Sequence, residues 1–317
     1  MLARTAQHWR PFRQLGRLRP LSASTTSPAA SPAASPAASP TAALCVIGDE
    51  ILSGKTQDTN SQVFAQHCFS LGIDVRAITT IPDSASSIAS TLQALSAAHT
   101  LVFTSGGIGP THDDITYAAV AKSFNAPLKH HAETLARMRR MMGGARTRPD
   151  PQGSEAERAC ARMALLPSSA ANGCVAFPCD ALWVPVVRVA NVHVLPGVPR
   201  LFAQLLAAYL PTVAGGVGVG VGAGFVRVLV GTRMRESDVA PALARLQHVY
   251  APKGLKLGSY PNWAPPGQDP PGQDPPGQDP PGQLPPVVIS AVGRDPEQLE
   301  QCRKDLCLHL NGFDIAS

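Results

Sequence analysis

Glycines and carboxylates are the residues of this chain whose types and spacing could do chemistry. Gly106, Gly107 and Gly109 lie in the run TSGGIGPTHDDIT at 104–116, directly after the apolar stretch Leu101-Val102-Phe103 and just ahead of residues 113–124, which have helical spacing. A turn of this kind, at the carboxyl end of a buried strand, offers backbone N–H groups and a positive helix end to an anion. The glycines let the backbone approach a phosphate closely, and Pro110 stiffens the turn. Asp113 and Asp114 place two carboxylates at the expected helix start, where they would cap it or hold a divalent metal against a phosphate. Gly48-Asp49-Glu50 follows one apolar run and Asp83 follows another, while Asp58 and Asn60, in QDTN, stand at the start of a helical stretch. Singly, each aspartate reads as a cap or turn former. Collected on one sheet edge, they suit metal-assisted phosphoryl or pyrophosphate chemistry.

The elements that must position them follow a strand–helix rhythm. Strands are expected over 43–47, 73–81 and 100–104, and helices over 60–71 and from a Ser84 cap to 97. Repeated βα units imply a mostly parallel sheet with helices on both faces, a three-layer α/β/α domain. Further helices are expected over 130–142 and 155–166. Strands at 184–189 and 192–195 are joined by an Ala190-Asn191 turn, and PGVPR opens a helix running to 210. After a Gly/Val stretch near 214–224 the order becomes strand, helix, strand, strand, helix, a small α+β subdomain of βαββα type. Four tandem PPGQ units fall within 265–284. Proline at that density cannot join a sheet ladder, so they read as a polyproline-like insertion in a hairpin loop.

GGIGPTHDD, taken with VIGDEILSG at 46–54, QDTN at 57–60 and LPGVP at 195–199, resembles the MoaB/Mog-type molybdopterin-binding domain. The branch is the one shared by competence-damage-inducible protein A and the amino-terminal half of eukaryotic FAD synthase. LLPSSA at 165–170, FP at 177–178 and LGSYPNW at 257–263 draw the resemblance toward the FAD synthase half, and it runs from about residue 43 to the end of the chain. It implies catalytic roles for Asp83, Asp114 and Asp49, and a metal held by Asp49, Asp113 and Asp114, as Mg²⁺, Mn²⁺ or Co²⁺. It also implies a phosphate cradle of Gly106, Gly107, Gly109 and Thr111, a second loop at Pro196-Gly197, and ligand contacts from Gly48, Ser53 and Asn60, with Lys55 beside Ser53 at the pocket mouth. His112 has no assigned part. Ser259, Tyr260 and Trp263 match the FAD synthase signature. The reaction it suggests is hydrolysis of FAD, or of a related dinucleotide, to FMN and AMP, because no αβ repeat of an FAD-synthesising domain follows the subdomain. Two alternatives stay open: a molybdopterin-binding or adenylylating protein of cofactor synthesis, and a non-catalytic flavin- or pterin-binding module, with homo-oligomers open in each case.

Composition narrows the partners. Five arginines and no acid lie in residues 1–42, which also carry the repeat SPAASPAASPAASP. That is the composition of an organellar transit peptide, mitochondrial by its arginines with a chloroplast as the alternative. Without those arginines the chain has 22 basic and 22 acidic residues, which argues against a nucleic-acid surface. The seven cysteines form no CxxC pair and read as incidental or buried thiols, and no apolar run approaches the roughly 20 residues of a membrane span. The folded part is expected to divide into 43–213 and 223–317.

Overall fold

The computed structural model describes residues 40–142, 148–168, 173–219, 224–262 and 285–315. They belong to one compact unit, Ser39–Ser317. Its first part contains β1 (Thr41–Ile47), α1 (Asp49–Leu52), α2 (Asn60–Leu71), β2 (Asp74–Ile81), α3 (Ala85–Ala98), β3 (Leu101–Ser105), α4 (Thr116–Ser123), β4 (Leu128–His130), α5 (Ala132–Met141), α6 (Glu155–Arg162), β5 (Leu165–Pro167), β6 (Gly173–Ala176), β7 (Val186–Val189), β8 (Val192–Leu195) and α7 (Pro199–Gly216). The second contains β9 (Val226–Thr232), α8 (Glu236–Tyr250), β10 (Lys256–Pro261), β11 (Val287–Gly293), α9 (Pro296–His309) and β12 (Phe313–Asp314).

The large sheet has the order β2-β1-β3-β8-β7-β6. Its first four strands are parallel, and β7 runs antiparallel to both of its neighbours. Strand alternation divides the apolar residues between two layers. Ala42, Leu44 and Val46 of β1 pack with Phe64 and Cys68 of α2 and with Phe202, Leu205, Leu206 and Tyr209 of α7. Cys45 and Ile47 turn the other way, toward Ile88 and Leu92 of α3 and Tyr117 and Val120 of α4. Burying a side chain such as Phe64 contributes about 1.5–3 kcal/mol, so these two seams hold the three-layer fold together. The parallel order places the carboxyl ends of β1, β2, β3 and β8 along one edge. The small sheet, β10-β11-β9-β12, is antiparallel, and α8 and α9 cover it through Val239, Leu246, Tyr250, Leu299 and Leu306.

Several elements differ from the sequence expectation. β1 begins at Thr41 and Ala42 is fully buried, so the last two residues of the expected leader belong to the sheet. Helix α4 starts at Thr116, three residues after the expected Asp113, because the Thr116 N–H is bonded to the Gly107 carbonyl (2.9 Å) and the chain between them is a turn. Asp113 and Asp114 therefore do not cap it. Ser84 occupies the position before α3, but its hydroxyl meets the Ser86 hydroxyl and accepts no backbone N–H. Helix α6 ends at Arg162, and Leu165 and Leu166, expected to be helical, pair with β4 together with Pro167 instead. Pro167 explains this: a residue before proline is driven out of the helical region. α7 runs on to Gly216, into the expected linker, and the subdomain gains a final strand, β12. The leader up to residue 39, Trp263 and the PPGQ units at 265–284 lie outside the described residues.

Candidate active site at the carboxyl edge of the sheet

At the end of β3 the chain makes its glycine turn. Gly106 has φ +109, and a Cβ there would stand 2.1 Å from the Ile47 carbonyl oxygen of β1; Gly107 has φ +65, and its Cβ would stand 2.2 Å from the Thr116 hydroxyl oxygen. Only glycine fits both positions. Thr116, fully buried, closes the turn: its hydroxyl donates to the Gly106 carbonyl (3.0 Å) while its N–H holds Gly107. This residue was not singled out from sequence, although it ends the same motif.

The carboxylates come from two neighbouring strand ends. Asp83, after β2, accepts the Asp49 N–H on Oδ2 (2.9 Å), so α1 is tied across to β2. Its other oxygen, Oδ1, faces the turn, 3.5 Å from the point where a Gly107 Cβ would be. Burial pushes the Asp83 carboxyl above its ordinary range, the Asp49 N–H pulls the other way, and the negative charges of Asp49, Glu50 and Asp113 raise it further. Asp114 serves its own loop: Oδ2 accepts both the N–H (2.8 Å) and the hydroxyl (2.5 Å) of Thr111, and a Cβ on Gly109 would meet the same oxygen at 2.6 Å. Arg162 of α6 donates to the carbonyls of Pro110 and Thr111, pinning that loop from about fifty residues away in sequence. Nothing local in the sequence announces the contact.

The second loop closes the edge. Gly106 N–H donates to the Leu195 carbonyl (3.3 Å), and a Cβ on Gly197 would come within 3.1 Å of the Gly106 Cα. Asn60, at the start of α2, donates from Nδ2 to the Ser105 hydroxyl (2.8 Å) and to the Gly197 carbonyl (2.9 Å), and Pro196 accepts a long bond from Ser105 (3.5 Å). Asp49 and Asp83 are thus joined by a direct bond, Asn60, Ser105, Pro196, Gly197 and Gly106 by another set of contacts, and Gly48 is tied to the edge by its N–H on the Ile81 carbonyl (3.1 Å). Thr111, Gly109 and Asp114 form a connected lip, exposed Asp113 adjoins it, and His112 stands against Asp113 (4.0 Å). Ser53 is exposed and its hydroxyl donates to the Glu50 carbonyl (3.4 Å); Lys55 is also exposed. In the subdomain, Ser259 is occupied with Glu236 (2.7 Å) and Tyr260 is exposed.

Among the described residues, no three Asp, Glu, His or Cys side chains come together to hold a metal ion by themselves, so Asp49, Asp113 and Asp114 are not a preformed trio. The donor set does fit a cation that arrives with phosphate. The charges acting most on Asp83 are all negative, and Mg²⁺ commonly takes one or two carboxylates and completes its shell with phosphate oxygens and water.

The fold is thus a mostly parallel sheet whose strand ends carry a glycine turn with carboxylates beside it. A family described as a probable molybdopterin binding domain matches residues 43–215, more than half of the chain, and the chain belongs to that family. It is similar to a probable FAD synthase of Caenorhabditis elegans, 33% identical over 232 residues, which are 69% of this chain and 43% of the relative. A CinA-like protein of Citrifermentans bemidjiense is 35% identical over 178 residues, 55% of this chain and 40% of the relative. The chain thus spans less than half the length of these curated relatives. Among solved structures, the protein CinA of Thermoplasma acidophilum has a TM-score of 0.48 at 26% identity, covering 55% of this chain and 98% of that one. The molybdopterin biosynthesis enzyme MoaB of Thermus thermophilus has a TM-score of 0.36 at 19% identity, covering 56% and 94%.

Proposed function

We propose that this protein is a divalent-metal-dependent nucleotide pyrophosphatase that hydrolyses FAD to FMN and AMP. The observation that carries the proposal is the placement of Asp83, anchored through one oxygen on the Asp49 N–H with the other turned to the Gly107 turn. In this scheme the turn cradles a phosphate of the substrate with backbone N–H groups from Gly107 onward, the Gly106 N–H being held by the Leu195 carbonyl. Asp83 Oδ1 takes a proton from a water directed at phosphorus, a task suited to a carboxyl already pushed upward. A new P–O bond forms to the water oxygen as the bridging P–O–P bond breaks, and FMN and AMP each leave with one phosphate. Asp49 and Asp113 would each offer a carboxylate to a cation that arrives with the phosphate; when bound, a divalent cation supplies charge neutralisation at the phosphate oxygens and a lowered water pKa.

The test is release of FMN and AMP from FAD by the full chain with Mg²⁺, Mn²⁺ or Co²⁺, beside Asp83→Asn. Metal-dependent turnover that drops by about 10²-fold or more in the variant supports the scheme. No turnover with any metal, or an active Asp83→Asn, defeats it. The family match favours a second reading, in which the same turn holds the phosphate of a molybdopterin without hydrolysis. Pterin fluorescence carried by the purified protein, with FAD left intact, would establish that one.

A further inference from the structure

A cleft of about 370 Å³ lies between the β4–β5 ribbon and β6, the strand that ends the large sheet. Register sets it apart from the glycine turn. Cys174 of β6 falls in one row with Arg188, His193 and Phe103, so three strand spacings, about 14 Å, separate this wall from β3. None of the described wall residues belongs to the turn or to the aspartates beside it. The ribbon is held at both ends, by the Ser168 N–H on the Pro127 carbonyl (2.8 Å) and the His131 N–H on the Ala164 carbonyl (2.9 Å). Leu166 and Val175 give the cleft an apolar floor. Its polar side chains can all donate hydrogen bonds, and none is a carboxylate: Lys129, His130, His131, Ser168 and Cys174. For His131 the donor can be assigned. Its Nδ1 accepts the Thr134 N–H (3.3 Å) at the start of α5, so the proton of the neutral ring is on Nε2. The acids closest along the chain, Glu133 and Asp180, are both drawn to Arg137, at 3.0 and 3.8 Å. The field in the cleft is therefore positive, opposite in sign to the aspartate-lined edge of the sheet.

We propose that this cleft is a second ligand site, for a phosphomonoester of mononucleotide size. Lys129 and His130 hold the phosphate, and the attached ring lies on Leu166 and Val175. The charge count agrees: one lysine among neutral donors matches a single phosphate better than a polyphosphate chain. So does the size, since small-molecule sites span about 300–1,000 Å³ and this one stands at the lower end, which favours a mononucleotide over a dinucleotide. Ala132, the first residue of α5, also lines the cleft, so the positive end of that helix adds to the attraction. AMP and FMN belong to this ligand class, so a chain that releases them would meet its own products at a place remote from the glycine turn. The site itself does not require that FAD be cleaved.

Cys174 supplies a local reporter, because it lines the cleft and is exposed, whereas Cys179 and Cys307 are half-buried. The experiment measures the rate at which iodoacetamide alkylates Cys174 in the full chain, read by peptide mass spectrometry, with AMP, FMN, adenosine or riboflavin present. Protection follows 1 + [L]/Kd, so AMP or FMN at about ten times its Kd should slow labelling by about tenfold, and the arm that responds names the ring. Adenosine and riboflavin, which lack the phosphate, should leave the rate unchanged. Lys129→Met combined with His130→Gln should reduce the protection to under about twofold; both side chains are exposed, so the variant keeps the fold. Asp83→Asn should leave it intact. No protection by either nucleotide would overturn the proposal, as would equal protection by the phosphate-free probes. Protection that survives the double variant, or disappears in Asp83→Asn, would also overturn it by placing the ligand at the glycine turn. FAD turnover is scored separately: protection in a chain that leaves FAD whole would remove the hydrolase proposal and keep this site.

Discussion

Replacing Gly106 by alanine should be among the most damaging single methyl additions this protein can receive. Two costs add at that position. The backbone has φ +109, which an L residue rarely adopts and which costs about 1–3 kcal/mol. The new Cβ would stand 2.1 Å from the Ile47 carbonyl oxygen, which is backbone of a central strand. That strand is paired on both sides, Ile47 with Ile81 and Val46 with Ser105, so it cannot withdraw without loosening two ladders. Together these amount to about 4 kcal/mol, which at about 2–4 °C per kcal/mol for a domain of this size lowers Tm by about 8–16 °C. Gly54 supplies the control: its φ is +73, but nothing lies within 4 Å of its Cβ position, so Gly54→Ala carries backbone strain alone, about 1–2 kcal/mol. Thermal unfolding of both variants by circular dichroism isolates the clash as their difference. Equal shifts, or a Gly106→Ala shift under about 2 °C, would refute the close approach of the turn to β1.

Three further outcomes are expected. His193 is buried in β8, stacked on Phe103 with ring centroids 4.8 Å apart and bonded to the Tyr209 hydroxyl (3.0 Å), and burial lowers its pKa to about 3. The unfolded chain protonates this histidine at its ordinary pKa near 6.5 while the folded chain does not. Stability should therefore fall by about 1.4 kcal/mol per pH unit as pH drops from 6.5 toward 3, and His193→Gln should flatten that slope in urea titrations. Phe64→Ala empties a fully buried site against Phe103 (5.3 Å between rings) and should cost about 3–5 kcal/mol in the same measurement. Arg162→Met removes the pins on the Pro110 and Thr111 carbonyls; it should raise KM for FAD several-fold with little change in Tm, and an unchanged KM would separate that loop from substrate.

What could be read from sequence was local. The alternation of β1, the apolar spacing of α2 and the strand-then-glycine order around 101–107 each depend on neighbours within a few residues, and the bounds of α2 coincide with the expected 60–71. Placing Asp49, Asp83 and the glycine turn on one edge was also within reach, since each directly follows a strand and parallel strands end on the same side. Local spacing failed where a distant contact outweighed it. α4 begins late because Gly107 captures the Thr116 N–H, and Leu165 and Leu166 leave the expected helix because β4 supplies a ladder and Pro167 forbids the helical alternative.

The amino-acid sequence by itself determined the class of fold, the family, and the order in which the glycines and aspartates follow strand ends. Only the tertiary structure decided which of them touch. Asp83 meets the Asp49 N–H because β2 and β1 are neighbours, and Asn60 bridges Ser105 and Gly197 because β3 and β8 are. It also separated Asp114, bound to Thr111 in its own loop, from Asp83 on the turn, although both aspartates look alike as motif letters. These pairings depend on strand order and on which carbonyls the loops leave free, and helical or strand periodicity carries no information about either.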